Sequence, residues 1–68
     1  MTSQHCHGNV LDYDEQRGYG RICDQQGVEY FVHFRDIIDD VSLNTGDKVQ
    51  FLPVLSRKGN IARQVKPL

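Results

Sequence analysis

Two short stretches carry side chains that could do chemistry together. Tyr19 and Arg21 sit two apart in one stretch, and Phe31 and His33 sit two apart in another. Side chains two apart on a strand share a face. An exposed pair of aromatic rings beside an Arg and a His suits a flat, π-faced ligand. Base stacking on one aromatic contributes about 1–3 kcal/mol and tolerates any base. Other candidates are weaker. His5-Cys6-His7 invites a metal reading, but a strand would place the two His on one side and Cys6 on the other. A closed zinc site also needs four ligands, so no metal is expected. Gly18-Tyr19-Gly20 lacks the third glycine and the following helix of a dinucleotide fingerprint. Asp14-Glu15 and Asp39-Asp40 read as solvated turn charge. No Ser–His–Asp or Cys–His constellation can be assembled, and so small a chain offers little enclosed pocket. Neither an enzyme nor a cofactor is expected. A histidine can serve as a pH switch, yet for His33 a stacking or donor role is the better reading.

The elements that must position these residues are bounded by length. The chain has 68 residues, which allows one small domain and a marginal core. Hydrophobic residues at 38% and six Gly place it among ordinary globular chains rather than collagen-like or disordered ones. No apolar run approaches the ~20 residues of a spanning helix. The start shows no basic segment followed by an apolar one, so no signal peptide is expected and the cytoplasm is the expected compartment. The net charge is −1. Counterion-release binding to duplex DNA needs many Lys and Arg on one surface, so any nucleic-acid function must rest on local charge and stacking. Cys6 and Cys23 are expected to stay reduced. A four-residue turn over 14–17 puts Cys23 opposite Gly8, leaving Cys6 off register for a bridge.

Strand signals dominate. Gly and turn residues punctuate the chain, and no 3.6 period persists. The pattern predicts five strands over 7–13, 18–24, 28–33, 48–54 and 61–66, with a single helical turn in 35–40. Pro53 argues for an edge position or a bulge in the fourth strand. Five short strands must close, or nearly close, to bury their apolar faces and edges. The economical solution is an all-β fold, a small five-stranded antiparallel Greek-key barrel. An open meander or SH3-like barrel also fits the pattern. The domain spans 1–68, with 1–6 expected to be frayed. With Val10, Ile22 and Val32 inward, Tyr19, Arg21, Phe31 and His33 point outward together. The opposite choice would bury Arg21 and Glu29, which is costly without partners.

At these residues the chain resembles the bacterial cold-shock domain family. Arg17-Gly18-Tyr19-Gly20-Arg21-Ile22 is similar to the first ribonucleoprotein motif, usually Lys-Gly-Phe-Gly-Phe-Ile. Tyr30-Phe31-Val32-His33-Phe34 is similar to the second, usually Val-Phe-Val-His-Phe. Gly8-Asn9-Val10 looks like the Gly-x-Val opening, and Gly46-Asp47-Lys48-Val49-Gln50-Phe51 like the fourth strand. The resemblance implies a five-stranded oligonucleotide-binding barrel that binds single-stranded RNA or DNA across strands one to three; of the two, RNA is the expected ligand. It also implies an RNA-chaperone or regulatory role in transcription or translation. By position, Tyr13, Tyr19, Phe31, His33 and Phe34 take stacking places. Phe34 reads equally as partly core. Arg17 and Lys58 take basic places, and Arg21 stands where a stacking Phe is usual.

The family's usual Lys-Trp-Phe in strand one is here Leu11-Asp12-Tyr13. An Arg can stack on a base or pair a phosphate, so Arg21 compensates in part. Loss of two aromatics at about 1–3 kcal/mol each predicts affinity lower by one to four orders of magnitude than a typical member. The expected partner is single-stranded nucleic acid, with no membrane and a monomeric state. The alternative is a barrel that has lost this affinity and serves as a protein-interaction module.

Overall fold

Apolar residues at alternate positions become five strands in the computed structural model, which describes residues 5–68. They are β1 (Cys6–Asp14), β2 (Tyr19–Asp24), β3 (Glu29–His33), β4 (Lys48–Ser56) and β5 (Gly59–Pro67). They close into a barrel in the order β1-β2-β3-β5-β4. All neighbours are antiparallel except β3 and β5, which meet in parallel at Phe31 and Ile61. Closure is the outcome that leaves no strand edge open.

The inward residues are those the alternation predicts. Val10, Ile22 and Val32 from the first three strands meet Val49, Phe51, Ala62 and Val65 from the last two, all buried. Burying an aliphatic or aromatic side chain of this kind contributes roughly 1.5–3 kcal/mol. The Tyr30 ring tilts against Phe51 at 4.9 Å between centroids. The connection from β3 to β4 supplies the plug. Ile37 and Leu43 are buried there, and Ile37 bridges to Val65 in parallel.

The first hairpin departs from the expected register. Its turn lies one residue later than 14–17, because the Asp14 carboxylate accepts from the backbone N–H groups of Gln16 and Arg17 at 3.0 and 3.2 Å. Gly18 closes the turn with φ +78 and donates its N–H to the Asp14 carbonyl at 2.7 Å. The strands therefore start pairing at Asp14 and Tyr19, and an irregularity between Val10 and Asp12 resets the ladder. Leu11 is the extra residue of this β-bulge. Cys23 faces Asn9 rather than the expected Gly8, and neither cysteine is in a disulfide. At the bulge the Val10 backbone turns to the long loop, with its N–H on the Asp47 carbonyl at 2.9 Å and its carbonyl on the Gly46 N–H at 2.8 Å.

Other boundaries shift for equally local reasons. Cys6 pairs with Phe51, so β1 begins inside the segment expected to be frayed; the expectation for 1–4 lies outside the described residues. Two 3-10 turns, Phe34–Asp36 and Ile38–Asp40, replace the single expected helical turn. Extended Ile37 separates them, since its side chain must reach the core. The last hairpin needs only Arg57 and Lys58 as its turn, since Ser56 pairs with Gly59. Pro53 pairs with Ala62 of β5 but lies past the end of the β1 ladder, which stops at Phe51. Its missing N–H therefore breaks none of the β1–β4 pairs among the described residues.

Two features of this scaffold give tests. A Cβ on Gly20 would run into the Asp12 carbonyl and the Tyr13 Cα of β1. Gly20→Ala is expected to destabilise by about 1–3 kcal/mol, as overpacking does, read as a lower urea midpoint at unchanged slope. Asp24 caps the β2–β3 turn by accepting from Val28 and Gln26 N–H at 2.9 and 2.8 Å and from the Tyr30 hydroxyl at 3.1 Å. These bonds, the one from Val28 foremost, hold its carboxyl below the ordinary value. Stability from this turn is therefore complete above the ordinary carboxylate range and lost as pH falls through the lowered folded value. Asp24→Ala should lower the urea midpoint at neutral pH and converge with the unaltered chain in strong acid.

Candidate nucleic-acid interface

The register of β1, β2 and β3 lays side chains in rows across one outer face. Asp14, Tyr19 and His33 form one row, and Asp12, Arg21 and Phe31 the next. Asn9, Cys23 and Glu29 form the third. The Leu11 bulge puts Asp12 in this set. Unbroken alternation from buried Val10 would have turned Asp12 inward, whereas it is exposed.

The aromatic residues on this side are open. Tyr19 is 44% exposed, Phe31 55% and Phe34 48%. Phe34 is held at the rim, where its N–H donates to the Gly18 carbonyl at 2.8 Å and its ring lies against Gly18. That contact leaves no room for a side chain at position 18. His33 stacks on Phe34 at 4.6 Å between ring centroids. Its Nδ1 accepts from the Arg35 N–H at 3.3 Å and from Arg35 Nε at 3.4 Å. Arg17 Nη1 donates to the Tyr19 hydroxyl at 3.2 Å, and Arg17 Nε lies 3.7 Å from Asp14.

Tyr13 stands apart from this open set. It pairs with Gly20, which pairs with inward Val32, and it packs against the core. It reaches the surface only as a wall shared by two shallow clefts. One, of about 390 Å³, is lined by Asp12, Arg17, Tyr19, Arg21 and Phe31. The other, of about 450 Å³, lies toward Phe34, Ile37 and Val41. Lys58 sits exposed in the β4–β5 turn, and its side chain makes no hydrogen bond or ion pair among the described residues.

Arg21 is the main departure from the expected site. Its Nη2 donates to Asp12 Oδ2 at 2.6 Å and its Nε to the same oxygen at 3.2 Å. Its Nη1 donates to Glu29 Oε1 at 3.3 Å. The guanidinium expected to meet phosphate or base is already held by two carboxylates. The hydrogen bond from Arg21 keeps the Asp12 carboxyl below its ordinary value, and the bond to Asp12, then the charges of Asp12 and Glu29, raise Arg21. The group is solvent-exposed, so its net stabilisation is small. What it sets is orientation, because a guanidinium fork fixed on both sides lies in one place. Sequence reasoning named Asp12 and Arg21 singly and missed their pairing. The signal was the turn position, since a hairpin one residue earlier puts Arg21 opposite Val10.

The described residues contain no group of three or more His, Cys, Asp or Glu placed to hold a metal. No helix among them is long and apolar enough to cross a membrane.

Comparison with known proteins agrees with the geometry. The family profile described as 'Cold-shock' DNA-binding domain matches residues 6–68. Cold shock protein CapB of Pseudomonas syringae pv. tomato is 36% identical over 61 residues, covering 87% of this chain and 88% of that protein. Major cold shock protein CspA of Pseudomonas aeruginosa is 38% identical with the same coverage. Among solved structures, the Drosophila chain described as Unr CSD456 superposes with a TM-score of 0.78 at 20% identity, over 97% of this chain and 27% of that one. That likeness concerns the fold. With both ribonucleoprotein-like stretches on one outer face of a closed five-stranded barrel, this chain belongs to the cold-shock domain family of nucleic-acid-binding proteins.

Proposed function

We propose that this chain binds single-stranded nucleic acid, RNA more than DNA, along the outer face of β1–β3. The observation that carries the reading is the exposure of Tyr19, Phe31 and Phe34 on one side of the barrel. Rings left half-exposed cost free energy in water, and grouped apolar exposure marks a binding surface. In this reading Tyr19, Phe31, His33 and Phe34 stack on successive bases, and Tyr13 closes the side of the cleft. Arg17 and Lys58 meet phosphate, and the aromatic rows fix the direction of the strand. The protein acts by binding and not by catalysis, as a monomer in the cytoplasm, where loosening weak RNA pairing or regulating transcription or translation would be its role.

The affinity is lower than that of a typical family member. The middle row offers one ring, Phe31, and two charged residues, Asp12 and Arg21. A carboxylate there repels phosphate, and Arg21 is already engaged with it. The net charge of −1 adds no long-range attraction.

Replacing both Tyr19 and Phe31 with Ala should leave the fold intact and weaken binding of a short mixed-sequence RNA by at least about 30-fold, since each stacked base contributes about 1–3 kcal/mol. Amide shifts during an NMR titration at low salt check both points at once. Unchanged affinity in the double variant would remove the aromatic face from the mechanism. Silence of the unaltered protein at millimolar oligonucleotide would turn the reading toward a protein partner.

A further inference from the structure

We propose that Asp12 and Glu29, joined through Arg21, make the centre of this face select bases carrying an exocyclic amino group, adenine, cytosine or guanine, against uracil and thymine. The inference rests on the single-strand-binding reading above. It follows from what the three side chains leave unused.

Arg21 has five N–H donors, and its Nε, one Nη1 and one Nη2 hydrogen are directed at the two carboxylates. Each carboxylate has two oxygens and about four lone-pair sites. Glu29 uses only Oε1. Asp12 Oδ1 has only a long contact, at 3.4 Å from Arg21 Nε. The remaining capacity is mostly acceptor, and two carboxylates against one guanidinium leave a negative centre. The side chains of Asp12, Arg21 and Glu29 stay substantially exposed, at 52, 44 and 56%, so a ligand can reach them.

Their place decides what they meet. Phe31, Arg21 and Asp12 lie opposite one another on three adjacent strands, and together with Tyr19 they line the same cleft of about 390 Å³. A base stacked on Phe31 rests its face on the ring whatever its identity. Its edge then extends along the row toward Arg21 and the carboxylates. Aspartate and glutamate accept from the amino group of cytosine, and the same chemistry serves the amino groups of adenine and guanine. Uracil and thymine present two carbonyl oxygens flanking a single imino N–H. Those oxygens face acceptors and negative charge. The carboxylates thus discriminate by the base edge, where the aromatic rings do not.

The test is the ratio of affinities of the full chain for short oligo-dC and oligo-dT, measured by calorimetry at fixed salt. The two bases are single-ring pyrimidines that differ at the edge and in the thymine C5-methyl group, and the carboxylate variants separate the two contributions. Oligo-dC should bind about tenfold more tightly, a low-to-middle value for one base-edge contact. The ratio should fall to near one in the Asp12→Asn/Glu29→Gln double variant, and partway in Glu29→Gln alone, each checked for fold by its amide spectrum. Measurable binding with oligo-dT equal or tighter would overturn the inference and leave the binding reading standing. A tenfold ratio that survives in both variants would overturn the assignment to these carboxylates. Absence of binding to either oligonucleotide would overturn the binding reading and the inference with it.

Discussion

One extra residue in β1 sets the geometry on which the rest depends. The Leu11 bulge separates Val10 from Asp12 in the ladder. Val10 can then fill the barrel while Asp12, two positions on, stands on the outside. Without that irregularity a carboxylate would point into an apolar interior, where an unpaired charge is not tolerated. Bulges sharpen local twist and re-aim side chains, and a five-stranded sheet needs such bends to close. The glycine opposite Tyr13 belongs to the same constraint. At Gly20 β2 crosses β1 so closely that a Cβ would meet the Asp12 carbonyl, and that approach holds the rows of Tyr19 and Arg21 side by side.

The outer face that results has an aromatic rim and a charged middle. Tyr19, His33 and Phe34 gather at one end, Phe31 lies in the next row, and the Asp12–Arg21–Glu29 group occupies the space beside it. Stacking surface supplies affinity without regard to sequence, whereas fixed hydrogen-bonding groups supply discrimination. In this chain the row of Phe31 holds both, one ring for stacking and, beside it, Asp12 and Arg21 hydrogen-bonded to each other before a ligand arrives. Pre-set groups of this kind lose little conformational entropy on binding.

Much of this was legible in the sequence. Alternation around Ile22 and Val32, together with the cost of burying Arg21 and Glu29, gives the two faces of β2 and β3, and the paired aromatic stretches point to the candidate interface. The five strands follow from Gly and turn residues. What was not legible came from side chains acting on backbone. Asp14 moves a turn by one residue through two hydrogen bonds to amide groups. That step, with the bulge that absorbs it, hid the meeting of Asp12 with Arg21. Ile37 splits a helical turn because one side chain must enter the core. The role of Asp24 in fastening Tyr30 over the β2–β3 turn is likewise invisible until the turn is closed. Period-two patterns report which way a strand faces and are blind to an inserted residue.

The parallel contact of β3 with β5 has a consequence for how the molecule loosens. The hairpins β1–β2 and β2–β3 close short lengths of chain, and their ladders run the length of the strands. The β3–β5 seam joins residues some thirty positions apart through one in-register pair, Phe31 and Ile61. Long closures with little backbone pairing cost the most chain entropy for the least return. The cheapest opening of this barrel therefore parts that seam and leaves the three-stranded meander whole. The outer face of β1–β3 is carried by the unit that stays together, while Lys58 lies outside it in the β4–β5 turn, so breathing of the barrel flexes the margin of the face without dismantling it.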